Sequence, residues 1–356
     1  MPPKPLEQED INGFAKRFQV ELQTYLNERM SRSPVQTTDA KKLAQNSAQF
    51  VLRPGKRMRP YLAAMTARAF KVDEDVCIRL GIALELFHDF ALVHDDIMDR
   101  SDERRGMPTM HKLYEAEHAR KKWRGDAPHY GLSSAILSGD LLYSWADDAI
   151  STLHVNETTL RHVIKAFNVM KEEVILGQTL DATIAVLPKG ISRKQLLDVL
   201  ALKSGRYSIG RPILIGYALA GQDVDERTVL DVTEPLGVAF QIQDDILGTF
   251  GDPKKTGKSI DSDLREGKET ILAWETRRRM EKEDDKKIWD RAFGNKDATQ
   301  ADLDAMRRIM SETGAYVYVK ELAKQLMTKS IESAYQLPRI SDFFISLAES
   351  LEEREV

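Results

Sequence analysis

Two clusters of aspartates are the residues of this chain best suited to chemistry. Asp95, Asp96 and Asp99 follow the apolar stretch ELFHDFALVH, and Asp244 and Asp245 follow the apolar stretch PLGVAFQIQ. Because neighbouring carboxylates repel one another, such clusters usually need a bound cation or contact with solvent. Helical residues three or four positions apart lie on the same side, so Asp95 and Asp99 share a face. Two such helix ends facing one another predict a Mg²⁺ site above an apolar cavity, which suits a ligand with a polyanionic head and a hydrocarbon tail.

Basic side chains accompany both aspartate clusters. Arg104 and Arg105 lie shortly after the first cluster, and Lys258 and Lys268 lie after the second. Arginine offers planar paired donors that suit phosphate oxygens, whereas lysine contributes a compact charge. A third basic group, GKRMRP, precedes a predicted helix. Any one of these groups could merely decorate a solvated turn, but together they predict two phosphate sites, of which only one depends on metal.

The segment GDPKKTGKS after the second cluster invites comparison with a phosphate-binding P-loop. Five residues, rather than four, separate Gly251 from Gly257, and a predicted helix rather than a strand precedes the segment. We therefore expect a flexible basic loop that closes over phosphate. An ordinary polar loop is the alternative, and it would be preferred if the aspartates were absent.

Three further polar residues interrupt apolar helical stretches. Gln178 lies three positions before Asp181 at the end of one such stretch. Lys203 is either a lysine whose stem lies along the apolar surface or a cation directed into the cavity. His88 lies two helical turns before Asp95, where a lone histidine is more often a core residue than a ligand. None of the three assigns a function by itself.

Helical periodicity runs through most of the chain. Apolar residues recur at helical spacing in segments such as VCIRLGIALELFHDFALVHDDIM and SSAILSGDLLYSWADDAISTL, and no convincing alternation typical of strands is present. Glycine and proline fall between these segments rather than within a linker that separates two halves. The sequence therefore predicts an all-α protein, with a polar and mobile lead-in over residues 1–11 and a single domain over residues 12–356.

Composition excludes several functional classes. The 356 residues are 42% hydrophobic and 30% charged, which is typical of a soluble globular protein. The formal net charge of −4 argues against a nucleic-acid partner bound through overall basicity. Cys77 is the only cysteine, so an intrachain disulfide is impossible. Neither a secretory signal nor a membrane span is expected, since the chain has no run of about 18 apolar residues. These features favour a reducing, cytoplasmic location.

The motifs, in this order, resemble those of the trans-isoprenyl diphosphate synthases, the polyprenyl synthetase family. The matching segments are GKRMRP, FHDFALVHDDIMDRSDERRGMPTMH, AILSGDLL, GQTLD, KSGRYS and FQIQDDILGTFGDPKKTGKSIDSDLREGK. They cover nearly the whole chain from Phe50 onward. The resemblance implies the isoprenoid synthase fold, a large helical bundle around a central apolar cavity, and a homodimer. It also implies a Mg²⁺-dependent prenyltransferase that joins isopentenyl diphosphate to an allylic prenyl diphosphate, head to tail and with trans geometry.

The same resemblance implies a metal-binding role for the aspartates. Asp95, Asp99 and Asp244 would hold the Mg²⁺ ions, three per active site, that bind the allylic diphosphate. Asp96 and Asp245 would support these ligands.

Substrate-binding roles follow for the remaining motif residues. The residues implied for the allylic diphosphate are Arg104, Lys203 and Lys258, with Lys268 as a further substrate-binding candidate. The residues implied for isopentenyl diphosphate are Gly55, Lys56, Arg59, His88 and Arg105. The residues implied to flank the reacting centre are Gln178, Ser204, Tyr207 and Gln241.

Two positions depart from the family pattern. Gly248 stands where the second motif often has a third aspartate, and Ser204 stands where a threonine is usual but keeps the hydroxyl. The alternatives are a class I terpene cyclase, which lacks the second diphosphate site, and a non-catalytic prenyl synthase subunit, which would be expected to lose aspartates. A helical scaffold explains the apolar helices but not the motifs.

Chain length of the product is expected to depend on the two residues four and five positions before Asp95. In the family, bulk at these positions limits the growing tail. Here they are Ala91, which is too small to block the tail, and Phe90, which is rotated off that face and should narrow the tunnel. The pair predicts the C20 product geranylgeranyl diphosphate, with the C15 farnesyl product or a chain of C25 and above as alternatives.

Overall fold

The computed structural model describes residues 8–32, 38–187, 191–251 and 261–352. Within these ranges the regular secondary structure is helical apart from one short hairpin, in which β1 (Glu103–Arg104) pairs antiparallel with β2 (Met107–Pro108). The helices are α1 (Gln8–Ser31), α2 (Thr38–Val51), α3 (Met58–Arg68), α4 (Glu74–Met98), α5 (Met110–Lys121), α6 (Ala127–Ser151), α7 (Glu157–Val186), α8 (Arg193–Leu200), a π-helical segment (Ala201–Gly210), α9 (Arg211–Leu219), α10 (Glu226–Phe250), α11 (Ser262–Glu266), α12 (Ile271–Arg279), α13 (Glu283–Ala292), α14 (Gln300–Glu312), α15 (Ala315–Ser333), a 3₁₀ turn (Ala334–Gln336) and α16 (Ser341–Glu352).

The prediction of an all-α protein is confirmed. Helix α1 begins at Gln8, so the end of the lead-in predicted over residues 1–11 is helical, and residues 1–7 lie outside the described ranges. None of the helices in the described part combines the length and the apolar character that crossing a bilayer requires.

Two compact units make up the described chain. The first unit comprises Leu6–Ala166 and Pro212–Asp223, and the second comprises Phe167–Arg211 and Val224–Val356. The single domain and the central cavity stay predictions.

Helix α4 is the centre of the first unit. Asp73 caps its beginning by accepting hydrogen bonds from the backbone N–H groups of Asp75 and Val76. Acidic residues in the first turn favour this end, because the helix dipole is positive there. The buried apolar side chains of α4 pack against α3 and α6, and α5 packs against α6. This packing fixes the far end of α4, where the first aspartate cluster lies.

Helix α10 is the centre of the second unit. Asp225 caps it by accepting from the backbone N–H of Thr228. Its buried face packs against the π-helical segment and α15. Contact with the π-helical segment is very close at Gly237, where an added Cβ would lie 2.5 Å from the Cα of Gly205. Only two facing glycines allow the backbones to approach this far, and the approach brings the segment KSGRYS beside α10.

We expect Gly237→Ala to destabilise the protein by about 1–3 kcal/mol, because the new methyl group overlaps backbone that cannot move independently. Thermal unfolding followed by circular dichroism measures the change. Gly13→Ala is the matched control, since an added Cβ there meets no atom within 4 Å and alanine favours a helix interior. A Gly237→Ala protein as stable as the Gly13→Ala protein would contradict the close packing.

Candidate active site

The first aspartate cluster lies at the C-terminal end of α4. Asp95 is half-buried, Asp96 is buried and Asp99, the residue that follows the helix, is exposed. Helix C-termini carry a partial negative charge, so carboxylates gathered there favour a cation. The three side chains therefore differ in what they can bind, because only Asp95 and Asp99 reach solvent.

Arg104 neutralises the buried member of this cluster. Its Nε donates to Asp96 Oδ1 at 2.5 Å, and its Nη2 lies 3.5 Å from Asp95 Oδ2. Burial raises the pKa of Asp96 to about 6, while the charge and hydrogen bond of Arg104 oppose that rise. The carboxylate of Asp96 thus orients Arg104 next to Asp95, while its supporting role in metal binding stays a prediction.

The hairpin β1–β2 sets the positions of both arginines. Its two turn residues, Arg105 and Gly106, have φ values of 57° and 70°. Positive φ at both central residues matches the twist of a two-residue hairpin, and glycine adopts it without strain. The hydroxyl of Thr109 closes the loop by donating to the carbonyl of Ser101 at 2.9 Å. Arg104 is consequently directed to the aspartates, and Arg105 lies over Gly55, whose added Cβ would be 3.1 Å from Arg105 Nη2.

The GKRMRP segment separates its cations by burial. Arg57 is buried, pairs with Glu85 and donates to the backbone carbonyls of Val51 and Arg53. Lys56 is exposed and Arg59 is half-buried, and their binding of an anion stays a prediction. Arg57 instead holds the loop in place before α3.

His88 lies half-buried on α4 among these cations. Burial, followed by the charges of Arg59 and Arg105, holds the pKa of His88 well below its usual range. The imidazole is therefore neutral at physiological pH. It can exchange hydrogen bonds with a substrate, but it does not add positive charge.

The second aspartate cluster lies near the C-terminal end of α10, which continues past Asp245 to Phe250, so the prediction that the helix ends at the cluster is wrong. Asp245 is buried and accepts hydrogen bonds from Gln241 Nε2 at 3.0 Å and Lys268 Nζ at 3.2 Å. Ser204 donates to Gln241 Oε1 at 3.0 Å, which extends the chain of hydrogen bonds to the π-helical segment. Burial raises the pKa of Asp245, and the neighbouring carboxylate of Asp245 raises that of Lys268. Asp244 is half-buried.

The residue that replaces the family's third aspartate has a neighbouring carboxylate. An added Cβ at Gly248 would lie 3.2 Å from Oδ2 of Asp263. Asp263 lies in α11 and is 3.8 Å from the ammonium of Lys268. Asp263 therefore places negative charge close to position 248 although the aspartate itself is missing there.

Lys203 lies in the π-helical segment, and its ammonium donates to the carboxylate of Asp181 on α7. Ion pairs of Arg206 with Glu234 at 2.7 Å and Glu173 at 3.0 Å fix this segment. π-Helical turns often occur at functional sites, because they change the direction of side chains within a helix. Gln178 lies one turn before Asp181 on α7, and Tyr207 is buried.

The two residues predicted to control chain length lie on α4, one turn before the aspartates. The ring of Phe90 packs against Tyr143 of α6 at a centroid distance of 5.0 Å and against His94 at 4.7 Å. Ala91 is half-buried. Phe90 thus belongs to an aromatic group that α6 completes.

No group of three or more histidine, cysteine or acidic side chains has the arrangement of a metal site within the described ranges. Mg²⁺ commonly binds through one or two carboxylates together with waters and substrate phosphates, so a site made of protein ligands alone is not required. Asp95, Asp99 and Asp244 fit this pattern, because each is at least partly accessible. Lys258 and the loop predicted to close over phosphate lie in residues 252–260, outside the described residues.

Within each unit the structure brings predicted residues together. In the first unit Arg104 contacts the aspartates and Arg105 lies over Gly55. In the second unit Ser204, Gln241, Asp245 and Lys268 form one hydrogen-bonded chain, and Lys203 is held separately by Asp181. Arg57, Asp263 and Arg206 lie in motifs that the sequence singled out, but their supporting contacts were not predicted, and Glu85, Asp89 and Glu173 were not singled out at all. The i, i+4 spacing of Glu85 and Asp89 inside an apolar stretch was the available signal.

This chain is similar in sequence and in fold to known proteins. Residues 40–310 match the family model described as polyprenyl synthetase. A geranylgeranyl diphosphate synthase of Sulfolobus acidocaldarius is 35% identical over 85% of this chain and 87% of its own length. A short chain isoprenyl diphosphate synthase of Methanocaldococcus jannaschii is 34% identical over 77% of this chain and 78% of its own. The solved structure of a geranylgeranyl pyrophosphate synthase from Corynebacterium glutamicum, complexed with isoprenyl diphosphate and magnesium, has a TM-score of 0.89 and 29% identity, with coverage of 97% of this chain and 100% of that one.

Arg104→Ala should destabilise the protein by about 2–3 kcal/mol, because it leaves the carboxylate of Asp96 buried without its cation. The partial exposure of Arg104 keeps the cost below that of a fully buried pair. Urea unfolding measures the change, and Lys112→Ala, which removes surface ion pairs, should cost at most about 1 kcal/mol. Adding Asp96→Asn to Arg104→Ala should restore much of the lost stability. Equal losses of stability in Arg104→Ala and Lys112→Ala would contradict the pairing of Arg104 with Asp96.

Proposed function

The chain belongs to the polyprenyl synthetase family, and we propose that it condenses isopentenyl diphosphate with an allylic prenyl diphosphate to give geranylgeranyl diphosphate. It is a trans-prenyltransferase. The observation that carries the proposal is the repeated arrangement near the ends of α4 and α10. Each end has a buried aspartate paired with a cation and a neighbouring aspartate that remains accessible. Such an arrangement suits a site for Mg²⁺ and diphosphate.

Mg²⁺ would be held by Asp95 and Asp99 on α4 and by Asp244 on α10, and we propose three ions per active site. When bound, Mg²⁺ stabilises the negative charge that develops on a departing diphosphate. Asp96 and Asp245 keep their pairs with Arg104 and Lys268 and so maintain the orientation of the metal-binding ends.

The cations of the chain bind and orient the two substrates. Arg104, Lys203 and Lys268, together with Lys258, would hold the allylic diphosphate. Its C–O bond breaks with both electrons passing to the diphosphate, which leaves an allylic carbocation. The alkene of isopentenyl diphosphate then supplies the electrons of the new C–C bond. A proton leaves the resulting cation, and the displaced diphosphate is its acceptor. No side-chain nucleophile is required.

Isopentenyl diphosphate would be held by a different group of side chains. Lys56 and Arg59 are accessible, and Arg105 lies across Gly55 beside them. The neutral imidazole of His88 completes this group by hydrogen bonding. Gln178, Ser204, Tyr207 and Gln241 would flank the reacting carbons. Polar residues fixed in this way reduce the entropy lost when two substrates are aligned.

The assay that tests the proposal mixes the purified protein with Mg²⁺, an allylic diphosphate and labelled isopentenyl diphosphate. An elongated prenyl diphosphate supports the proposal. A cyclised hydrocarbon would instead identify a terpene cyclase, and no turnover would favour a non-catalytic subunit. The cytoplasmic location stays a prediction.

Asp95→Ala and Asp244→Ala should each lower turnover by several orders of magnitude, because they remove charge stabilisation that acts mainly in the transition state. Steady-state assays with circular dichroism as a folding check measure the effect. Asp231→Ala is the matched control on α10, since Asp231 is exposed and, among the described residues, its ion pair is with Arg227 one turn away. Near-normal turnover in either folded variant of the metal-binding aspartates would refute their role.

Product length should respond to the two residues before the first cluster. Phe90→Ala opens space beside α6 and should shift products above C20, whereas Ala91→Phe adds bulk one turn before Asp95 and should shift them toward C15. Chromatography of the dephosphorylated products measures the distribution. Phe14→Ala, which removes a buried ring packed on Phe18, should lower stability without changing length. Unchanged lengths in both position-90 and position-91 variants would mean that α4 does not limit the tail.

We also propose that the protein is a homodimer that uses α6. Leu132, Ile136 and Leu137 on this helix are 36%, 45% and 56% exposed. Contiguous apolar surface of this kind commonly marks an interface.

Light scattering should give twice the chain mass for the native protein and for Val20→Asp, an isolated exposed position on α1. Ile136→Asp together with Leu137→Asp should give a monomer; a fully active native monomer would refute the proposal.

A further inference from the structure

Asp89 is a buried acid to which the reaction gives no role. It lies on α4 between His88 and Phe90 and is 0% exposed. Neither oxygen of its carboxylate has a hydrogen-bond partner among the residues that the structure describes. A carboxylate buried in this way is costly unless neighbouring charges compensate for it. Its retention in the middle of an apolar helix therefore requires an explanation.

Two arginines provide the compensating charge. Nη1 of Arg57 lies 4.0 Å from Asp89 Oδ2, and Nη1 of Arg105 lies 4.0 Å from Asp89 Oδ1. Each carboxylate oxygen thus faces one guanidinium. Burial, followed by the charge of Glu85, raises the pKa of Asp89, while the charges of Arg57 and Arg105 lower it and so favour the ionised carboxylate on which the position of Arg105 depends.

The two arginines are held very differently. Arg57 is buried and is already bound to Glu85 and to the backbone carbonyls of Val51 and Arg53. Arg105 is 23% exposed, and within the described ranges its side chain makes one long hydrogen bond, from Nη1 to the carbonyl of Arg53 at 3.4 Å. Arg57 is therefore fixed without Asp89, whereas the position of Arg105 depends on it.

Repulsion makes this dependence stronger. Burial lowers the pKa of Arg53 and the charge of Asp96 opposes this; the positive charge of Arg105 lowers the pKa further, while Asp89 acts in the opposite direction. Without the negative charge of Asp89, the guanidinium of Arg105 would move toward solvent, where water screens its charge. Gly55 leaves just enough space for the inward position, since an added Cβ would lie 3.2 Å from Arg105 Cζ.

We propose that Asp89 is a positioning residue for the isopentenyl diphosphate site, which it serves by holding the guanidinium of Arg105 over Gly55. This inference rests on the proposed function, because Arg105 is assigned to that substrate there. Because Arg105 is already oriented before isopentenyl diphosphate binds, less side-chain entropy is lost on binding. The affinity for this one substrate is therefore higher. Asp89 contacts neither substrate and takes no part in the chemical step.

Asp89→Asn keeps the shape of the side chain and removes its charge. We expect the KM for isopentenyl diphosphate to rise about tenfold, as commonly follows the loss of an orienting partner, while kcat and the KM for the allylic substrate stay within about twofold. Glu117→Gln is the matched control, since Glu117 is a buried acid of the same unit that pairs with Lys42 and Lys121. It should lower the unfolding temperature and change neither KM.

A double-variant comparison separates positioning from a general loss of structure. Arg105→Gln should raise the KM for isopentenyl diphosphate, and adding Asp89→Asn should raise it no further. Should Asp89→Asn fail to fold, Asp89→Ser is tested in its place. Titration calorimetry with isopentenyl diphosphate gives the affinity directly, so the inference is tested even if the native protein shows no condensation, a result that would refute the proposed function alone. An unchanged or increased affinity in Asp89→Asn, or an equal rise in both KM values, would overturn the inference.

Discussion

The compensation of one buried carboxylate near each of two helix ends is the constraint on which the rest of the candidate site depends. Asp96 at the end of α4 is paired with Arg104, and Asp245 near the end of α10 is paired with Lys268. A buried carboxylate without a partner costs several kcal/mol, so the elements that carry these cations must be held in register with the helices. The hairpin β1–β2 and the chain after α11 have this role.

Because of this constraint, the aspartates within each cluster have different roles. The buried acid is engaged by protein, so it fixes a cation in place, while its neighbours Asp95, Asp99 and Asp244 stay accessible to a metal ion. The same division recurs among the cations, because Arg57 is committed to Glu85 and the backbone whereas Lys56 and Arg59 remain accessible. Adjacent residues of the same type therefore serve either the scaffold or the ligand according to burial.

Much of the fold and of the candidate site follows from the sequence, since helical periodicity and motif spacing are local properties. The helical class, the placement of the first aspartate cluster at a helix end and the proximity of Arg104 to it were predicted from the residues, whereas the continuation of α10 past Asp245 to Phe250 was not. Burial of Asp89 beneath two arginines was not, because it depends on how α4 packs against distant segments. The π-helical course of Ala201–Gly210 also escaped prediction, since the close approach of Gly205 and Gly237 joins residues far apart in the chain. Lys258 lies outside the described residues, so its role stays a prediction.

A crystal structure with Mn²⁺ in place of Mg²⁺ and an unreactive allylic diphosphate analogue would test the central claim most directly, because the anomalous signal locates each metal ion. The account predicts metal ions within about 2.0–2.3 Å of carboxylate oxygens of Asp95, Asp99 and Asp244, with Asp96 still bound to Arg104 and Asp245 still bound to Lys268. Metal ions ligated by Asp96 or Asp245, with Arg104 or Lys268 displaced, would contradict it.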